Sequence, residues 1–388
     1  MISISLIPNF KFTDLFYFFK KSDLSLSLSQ FLGIKYLEIF ESGRSAFYFL
    51  LKALGVGAGD EVIIQAFTCV AVPNAVLWTG AKPIFVDISE TFNLDVGKLE
   101  AAVTAKTRAV VVQHTFGFPA QMDKIVEFCR RKKLFLIEDC AHGLGNTYGD
   151  KKLGTLGIAS FFSFGRDKVI SGVWGGAVAT SDAGLSKKIK DLTKGLPIRG
   201  MGWTIRQILY PVFMFLILKT YDFWGVGKLL HGISRRFKFF DQAITIEEKR
   251  GQKPATFYHG LPQPLANLAA FQLGKLDAII AHRRMLARFY GESLDSKFDV
   301  SSTYLRFSLL VSDPDGLRQL AARQNIYLGD WYDQVVAPKT VNLTAAGYTL
   351  GSCQRAEKIS RQIVNLPTNP NIDINKAQKV VALIKQWK

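Results

Sequence analysis

The apolar run Leu134-Phe135-Leu136-Ile137 ends in two acids, Glu138 and Asp139, and further along Lys168 closes the stretch Ser163-Phe164-Gly165-Arg166-Asp167-Lys168. A carboxylate held at the end of a buried strand can keep a pyridinium nitrogen charged, and a lysine amine on a short loop can form an imine with an aldehyde. Together these are the two protein groups that pyridoxal phosphate (PLP) chemistry requires. Neither is informative alone, because any α/β protein carries an Asp after some strand and most lysines are solvated. Their neighbours extend the pattern. His142, just past Asp139, can orient that acid or meet a cofactor ring, and Ser163 offers a hydroxyl to a phosphate oxygen. Upstream, Ser42-Gly43-Arg44-Ser45-Ala46 precedes a predicted helix. Gly43 permits a tight turn there, the free amides of a helix start attract an anion, and Arg44 would add counter-charge. The competing reading is a plain N-cap by Ser42 or Ser45.

Alternating strands and helices must position these groups. Apolar runs predict strands at Glu61 to Ile64, Lys82 to Val86, Ala109 to Gln113, Phe135 to Glu138, Ala159 to Phe162 and Gly176 to Thr180. Between them, helices are expected at Ser45 to Leu54, Val70 to Thr79, Val96 to Ala102, Met122 to Lys132 and Leu185 to Lys194. That alternation is the signature of a mainly parallel sheet covered on both faces, whose strand ends carry ligands. A long helix, Leu265 to Tyr290, then leads into an α+β region with a strand near Tyr304 to Val311 and helices at Pro314 to Gln324, Ala356 to Ile363 and Asn375 to Gln386. The expected organisation is an aromatic and basic arm (1–40), a large PLP-binding domain (41–195), an apolar insert or linker (196–256) and a long helix with a small C-terminal domain (257–388).

With 388 residues, 48% of them hydrophobic and 21% charged, the chain can bury a large core. Four scattered cysteines, Cys69, Cys129, Cys140 and Cys353, form no ligand-like cluster, so a reducing cytoplasm and no structural metal are expected. Met1 to Pro8 lacks the features of a secretory signal. The net charge of +17 favours anionic small molecules or an anionic membrane face; nucleic acid is not expected, since no recognition motif accompanies the charge.

In the insert, Ile208 to Leu218 is continuously apolar apart from Tyr210 and Pro211. As a helix this run would reach only about 16 Å against a hydrocarbon core of about 30 Å. Extending it to Leu230 admits Lys219, Asp222 and Lys228, which makes a crossing costlier. Three readings stay open: a buried dimer element, a membrane-surface helix within 203–230, and a hydrophobic lid for a lipid-linked substrate. The first is favoured on burial grounds, the second by the basic balance and by Trp203, Tyr210, Tyr221 and Trp224.

Beyond these single motifs, the chain resembles the DegT/DnrJ/StrS-type sugar aminotransferases. The matching text includes Ser42-Gly43 with Ala46, Gly59-Asp60-Glu61-Val62-Ile63, Gly80-Ala81-Lys82-Pro83, Glu138-Asp139-Cys140-Ala141-His142, Ser163-Phe164 with Lys168, Gly175-Gly176, Gln272 to Asp277 and Asn365 to Pro370. The resemblance implies an α/β fold, the PLP-dependent transferase fold type I, with a large, mainly parallel sheet domain and a smaller C-terminal α+β domain. It implies Lys168 as the cofactor-bearing lysine, Asp139 as the acid at the pyridine nitrogen, His142 beside the ring and Ser163 on the phosphate. Gly43, Arg44 and Ser45 fall in the family's phosphate loop, where Arg44 and Ser45 replace Thr and Ala and a threonine hydroxyl is lost. Thr68 matches the family, but Cys69 stands where many members stack an aromatic ring, so Phe67 or His142 is expected to stack instead. The family's cross-subunit Asn segment is not intact around Tyr258 to Leu265, and Asn267 is the nearest substitute.

By the same resemblance the chain is expected to be a cytoplasmic homodimer that aminates a keto-sugar nucleotide with nitrogen from an amino acid such as glutamate, with contact to the inner face of the membrane through 203–230 as the insert's second reading. A PLP-dependent sugar dehydratase and a catalytically decayed membrane-associated binding protein are the alternatives; Lys168 speaks for transamination.

Overall fold

The computed structural model of the protein describes residues 1–4, 9–221, 224–236, 240–255 and 257–387; Asp222 lies outside them. Its centre is a seven-stranded sheet built from β1 (Tyr36–Phe40), β2 (Glu61–Gln65), β3 (Lys82–Val86), β4 (Thr107–Gln113), β5 (Phe135–Asp139), β6 (Ala159–Ser163) and β7 (Gly176–Thr180). The spatial order is β1-β7-β6-β5-β4-β2-β3, with β7 antiparallel to both neighbours and the other pairings parallel. Every residue of β2 and of β7 is buried, as expected of strands covered on both faces. Helices α1 (Leu24–Leu32), α2 (Gly43–Ala53), α3 (Ala71–Thr79), α4 (Met122–Lys132) and α5 (Ala183–Thr193) supply that cover.

All six predicted strands are present, two of them to the residue, but three readings need correction. Tyr36–Phe40, assigned to the arm, is an edge strand paired with β7; Glu38 in its middle and its half-buried pattern hid it. The stretch Val96 to Ala102 splits into a 3-10 turn, Val96–Lys98, and a short helix, Leu99–Ala102, because the Asp95 side chain caps Gly97 and tightens the entry. The single long helix is two, α8 (Gln263–Leu273) and α9 (Leu276–Leu294), interrupted at Gly274 and Lys275. Toward the C-terminus, Phe307–Leu310 pairs antiparallel with Ile363–Leu366, and the helices Pro314–Arg323 and Ile374–Trp387 share a core with α9.

The insert's length also differs from expectation. Its helix α6 runs Met201–Thr220, twenty residues or about 30 Å, because Thr204, Arg206 and Gln207 interrupt the apolar pattern without breaking the helix. Thr204, Gln207, Tyr210, Pro211, Met214 and Ile217 recur every three or four positions and are buried, against Phe10, Phe18, Val173, Leu265 and Leu268 among others. A second insert helix, α7 (Val226–Arg236), crosses it closely: a Cβ at Gly227 would lie 2.4 Å from the Ile217 carbonyl.

Candidate active site

Parallel register gathers the candidate residues. Gln113, the last residue of β4, lies opposite Asp139, the last residue of β5, which in turn faces Phe161 of β6, two positions before Ser163. Alternation along β5 separates the two acids. Glu138 points to the far face, where its carboxylate accepts from the amides of Gly154 (2.8 Å), Leu156 (2.7 Å) and Gly157 (2.8 Å) and meets His114 Nε2 at 3.3 Å. It is a structural acid. His114, Glu138 and Cys140 come within 4.8 Å of one another, but those amides occupy Glu138, and His114 Nδ1 accepts from Ala120, so no metal role follows.

Asp139 faces a cavity of about 460 Å³ that is also lined by Gly43, Cys69, His142, Ser163, Lys168 and Trp331. Its carboxylate accepts from the Ala141 amide (3.0 Å). Burial pushes its pKa up to about 6, against the opposing pull of that amide, Lys168 and His114. A cation delivered into the cavity would relieve that cost.

Burial likewise lowers the Lys168 amine, although Cys69, Asp139 and Asp167 oppose the shift. The His142 ring is held well below its ordinary pKa, chiefly by burial. Its Nδ1 accepts from the Phe116 amide (3.2 Å), so in the neutral ring the proton sits on Nε2. Nε2 lies 3.2 Å from Lys168 Nζ and 3.4 Å from the Tyr332 hydroxyl, and its N–H can donate to Lys168 only when that amine has a free lone pair. Burial and the His142 contact both favour the neutral, nucleophilic form of the lysine.

The phosphate end is a close approach of two strands and a helix start. A Cβ at Gly43 would stand 2.9 Å from Ser163 Cβ and 3.0 Å from the Phe162 carbonyl, and one at Gly176 would stand 2.4 Å from the Gly43 nitrogen. Only glycines allow Ser163 to meet the start of α2. We expect Gly43→Ala to weaken PLP retention by about tenfold or more while leaving the fold intact, measured as cofactor lost on dialysis.

Several expected site residues are placed differently. Ser45 is buried in a capping box with Ser42, its hydroxyl donating to the Ser42 carbonyl (2.8 Å), so it closes the helix start instead of facing the cavity. The Arg44 guanidinium pairs with Glu248 and donates to the Ala243 carbonyl (2.6 Å), which leaves its backbone as the contribution to the cradle. Thr68 donates to Gln113 Oε1 (2.7 Å) and acts through that residue. Asn267 is turned toward the arm, donating to the Phe18 carbonyl (3.0 Å) and accepting from Ser22 (3.1 Å), so it reaches no phosphate.

Of the two expected stacking partners, Phe67 is buried against Phe116 and Tyr332 and does not line the cavity, whereas His142 does. Cys69 lines it too but offers no plane. The ring the sequence reading missed is Trp331, parallel to His142 with centroids 5.2 Å apart. It is propped by the buried guanidinium of Arg306, 3.6 Å from its centroid. An aromatic pair between acids, Asp330-Trp331-Tyr332-Asp333, was the available signal. Asn9 was missed as well: it donates to the Lys168 carbonyl (2.6 Å), its buried side-chain oxygen has no partner among the described residues, and its backbone amide donates to the Arg166 carbonyl, tying the arm to the lysine loop.

Acid, amine and anion cradle thus fit PLP at both ends of one cavity. Comparison with known proteins agrees. The profile of the DegT/DnrJ/EryC1/StrS aminotransferase family matches residues 20–202 and 231–385. A GDP-perosamine synthase of Caulobacter vibrioides is 38% identical over 191 residues, 49% of this chain and 50% of that protein. The chain spans about half the length of several such curated relatives. A pleiotropic regulatory protein of Geobacillus stearothermophilus is 42% identical over 353 residues, covering 89% of this chain and 83% of the relative. A sugar aminotransferase-like structure from Streptococcus pneumoniae, solved in its PLP form, superposes with a TM-score of 0.76 at 17% identity, covering 99% of this chain and 98% of the other.

Proposed function

The chain belongs to the DegT/DnrJ/EryC1/StrS aminotransferase family, and from that premise we propose that it moves an amino group from an amino acid, glutamate by preference, onto the ketone of a sugar nucleotide, for polysaccharide or amino-sugar biosynthesis. The observation that carries the reading is the shared cavity of Asp139, Lys168 and the Gly43 cradle. PLP, when bound, supplies an aldehyde for the donor nitrogen and an electron sink for the carbanion. The rest falls to the chain. Asp139 holds a negative charge for the ring nitrogen, and the Gly43 and Arg44 backbone with Ser163 receives the phosphate. Lys168 Nζ, neutral and oriented by His142 Nε2, takes the substrate proton and returns it. His142 and Trp331 offer parallel faces to the cofactor ring and help exclude water.

The acceptor is read as a keto-sugar nucleotide because relatives carry names such as GDP-perosamine synthase. We read the enzyme as a cytoplasmic homodimer, with residues 203–230 at the inner face of the membrane. Isotope-labelled glutamate and a panel of keto-sugar nucleotides test the reaction: labelled nitrogen should appear in a sugar product by mass spectrometry. Cofactor binding without label transfer from any amino acid would support the dehydratase chemistry instead.

A further inference from the structure

The outer side of the insert carries a feature that transamination does not use. Along α6, Met201, Ile205, Leu209, Val212 and Leu216 form one exposed stripe opposite the buried face. On α7, Val226, Leu229 and Ile233 repeat the pattern, and Trp224 just before it is 91% exposed. The N-terminal 3-10 segment Phe12–Phe18 adds Phe12 and Phe16, and Phe19 follows, with Phe16 74% exposed. These elements are joined: the Phe12 ring meets Phe215 edge-on at 5.4 Å, and Gly227 lets α7 close on Ile217. Patches this apolar on an exposed face mark an interaction surface.

The charge around the surface selects its occupant. Lys11, Lys20, Lys21, Arg206, Lys219 and Lys228 are exposed in these segments. Among the described residues of 10–21, 201–221 and 224–236 the one carboxylate is Asp14, buried against Gln272 and Lys275. Among the described residues, a two-fold contact of this face with a second copy would bring these cations together without acids to meet them. An anionic bilayer matches both the apolar stripe and the cations, with Lys20 and Lys228 lying over Tyr17 and Tyr221.

The family profile matches residues on either side of 203–230 but not that stretch itself. The helix is long enough to span, yet it does not leave the protein. Gln207 accepts from Trp174 Nε1 (2.8 Å) and Arg166 (3.2 Å) and donates to Asp241 (2.8 Å), which ties α6 to the wall of the active-site cavity.

We propose that α6, α7 and the N-terminal aromatic segment form one docking face that seats the enzyme on anionic phospholipid, with α6 in the plane of the interface. This rests on reading 203–230 as membrane-facing and is independent of the reaction catalysed. The full-length protein should float with vesicles of equimolar phosphatidylglycerol and phosphatidylcholine, float poorly with phosphatidylcholine alone, and be released by salt. Leu209→Glu with Leu216→Glu should lower vesicle affinity by at least about tenfold. Lys219→Gln and Lys228→Gln should each lower it about fivefold on anionic vesicles only. Circular dichroism checks that the variants fold, and the lysine variants carry the test if the glutamate pair does not. No flotation on anionic vesicles, equal binding to neutral ones, or self-association abolished by the same substitutions would overturn the proposal. A soluble, active enzyme rejects the docking face alone, whereas a floating protein without amino transfer rejects the aminotransferase reading alone.

Discussion

Lys168→Ala is expected to abolish amino transfer, by about 10⁴-fold or more, since it removes both the amine that holds the cofactor and the base that moves the substrate proton. PLP should still enter, because the phosphate cradle and Asp139 are untouched, but it should wash out on dialysis and show no covalent link on borohydride reduction. The neighbours make the loss specific. Lys168 Nζ reaches His142 Nε2, at 3.2 Å, and burial favours the neutral form of that amine. Retained turnover in the variant would assign the chemistry to another residue.

Asp139→Asn should lower turnover by about 10²–10³-fold, the usual effect of removing one preorganised electrostatic partner. Its effect on stability should have opposite signs with and without cofactor. The carboxyl is raised from 3.8 to about 6 in the folded, cofactor-free protein. A raised pKa means that its protonated form is favoured on folding. That contribution is complete below about pH 4 and is lost as pH rises through about 6, a loss of roughly 3 kcal/mol at 1.36 kcal/mol per unit. The neutral amide avoids this, so cofactor-free Asp139→Asn should melt higher than the parent above pH 6. Asp333, also raised to about 6, is present in both proteins and cancels in the difference. With cofactor the order should reverse, because the parent gains an ion pair the variant cannot make. Equal melting of the cofactor-free proteins at pH 8 would show that Asp139 is not held against its charge.

The sequence made the sheet and the strand ends that line its cavity legible for a physical reason. Buried parallel strands are written as apolar runs, and ligands of such sheets bind where the runs end, which is where Asp139 stands. Glycine signals at Gly43 and Gly175-Gly176 report a backbone approach that the structure places at the helix start. What escaped depends on partners distant in sequence. Ser45 and Thr68 lie in the right segments, but their hydroxyls turn to Ser42 and Gln113, which no local pattern encodes. Arg44 is drawn to Glu248 in the insert, and Trp331 enters the cavity from the C-terminal half on the guanidinium of Arg306. Edge strand β1 was hidden because Glu38 and its half-buried neighbours break the apolar signal that central strands carry.

The most direct test of the account is the absorbance of the purified, PLP-loaded protein during titration with glutamate. The protein should be yellow, lose that colour on adding glutamate, and regain it on adding 2-oxoglutarate, as the cofactor accepts and returns the amino group. A protein that takes up no PLP, or one whose yellow band no amino acid bleaches, would contradict the assignment of Asp139 and Lys168 to amino transfer.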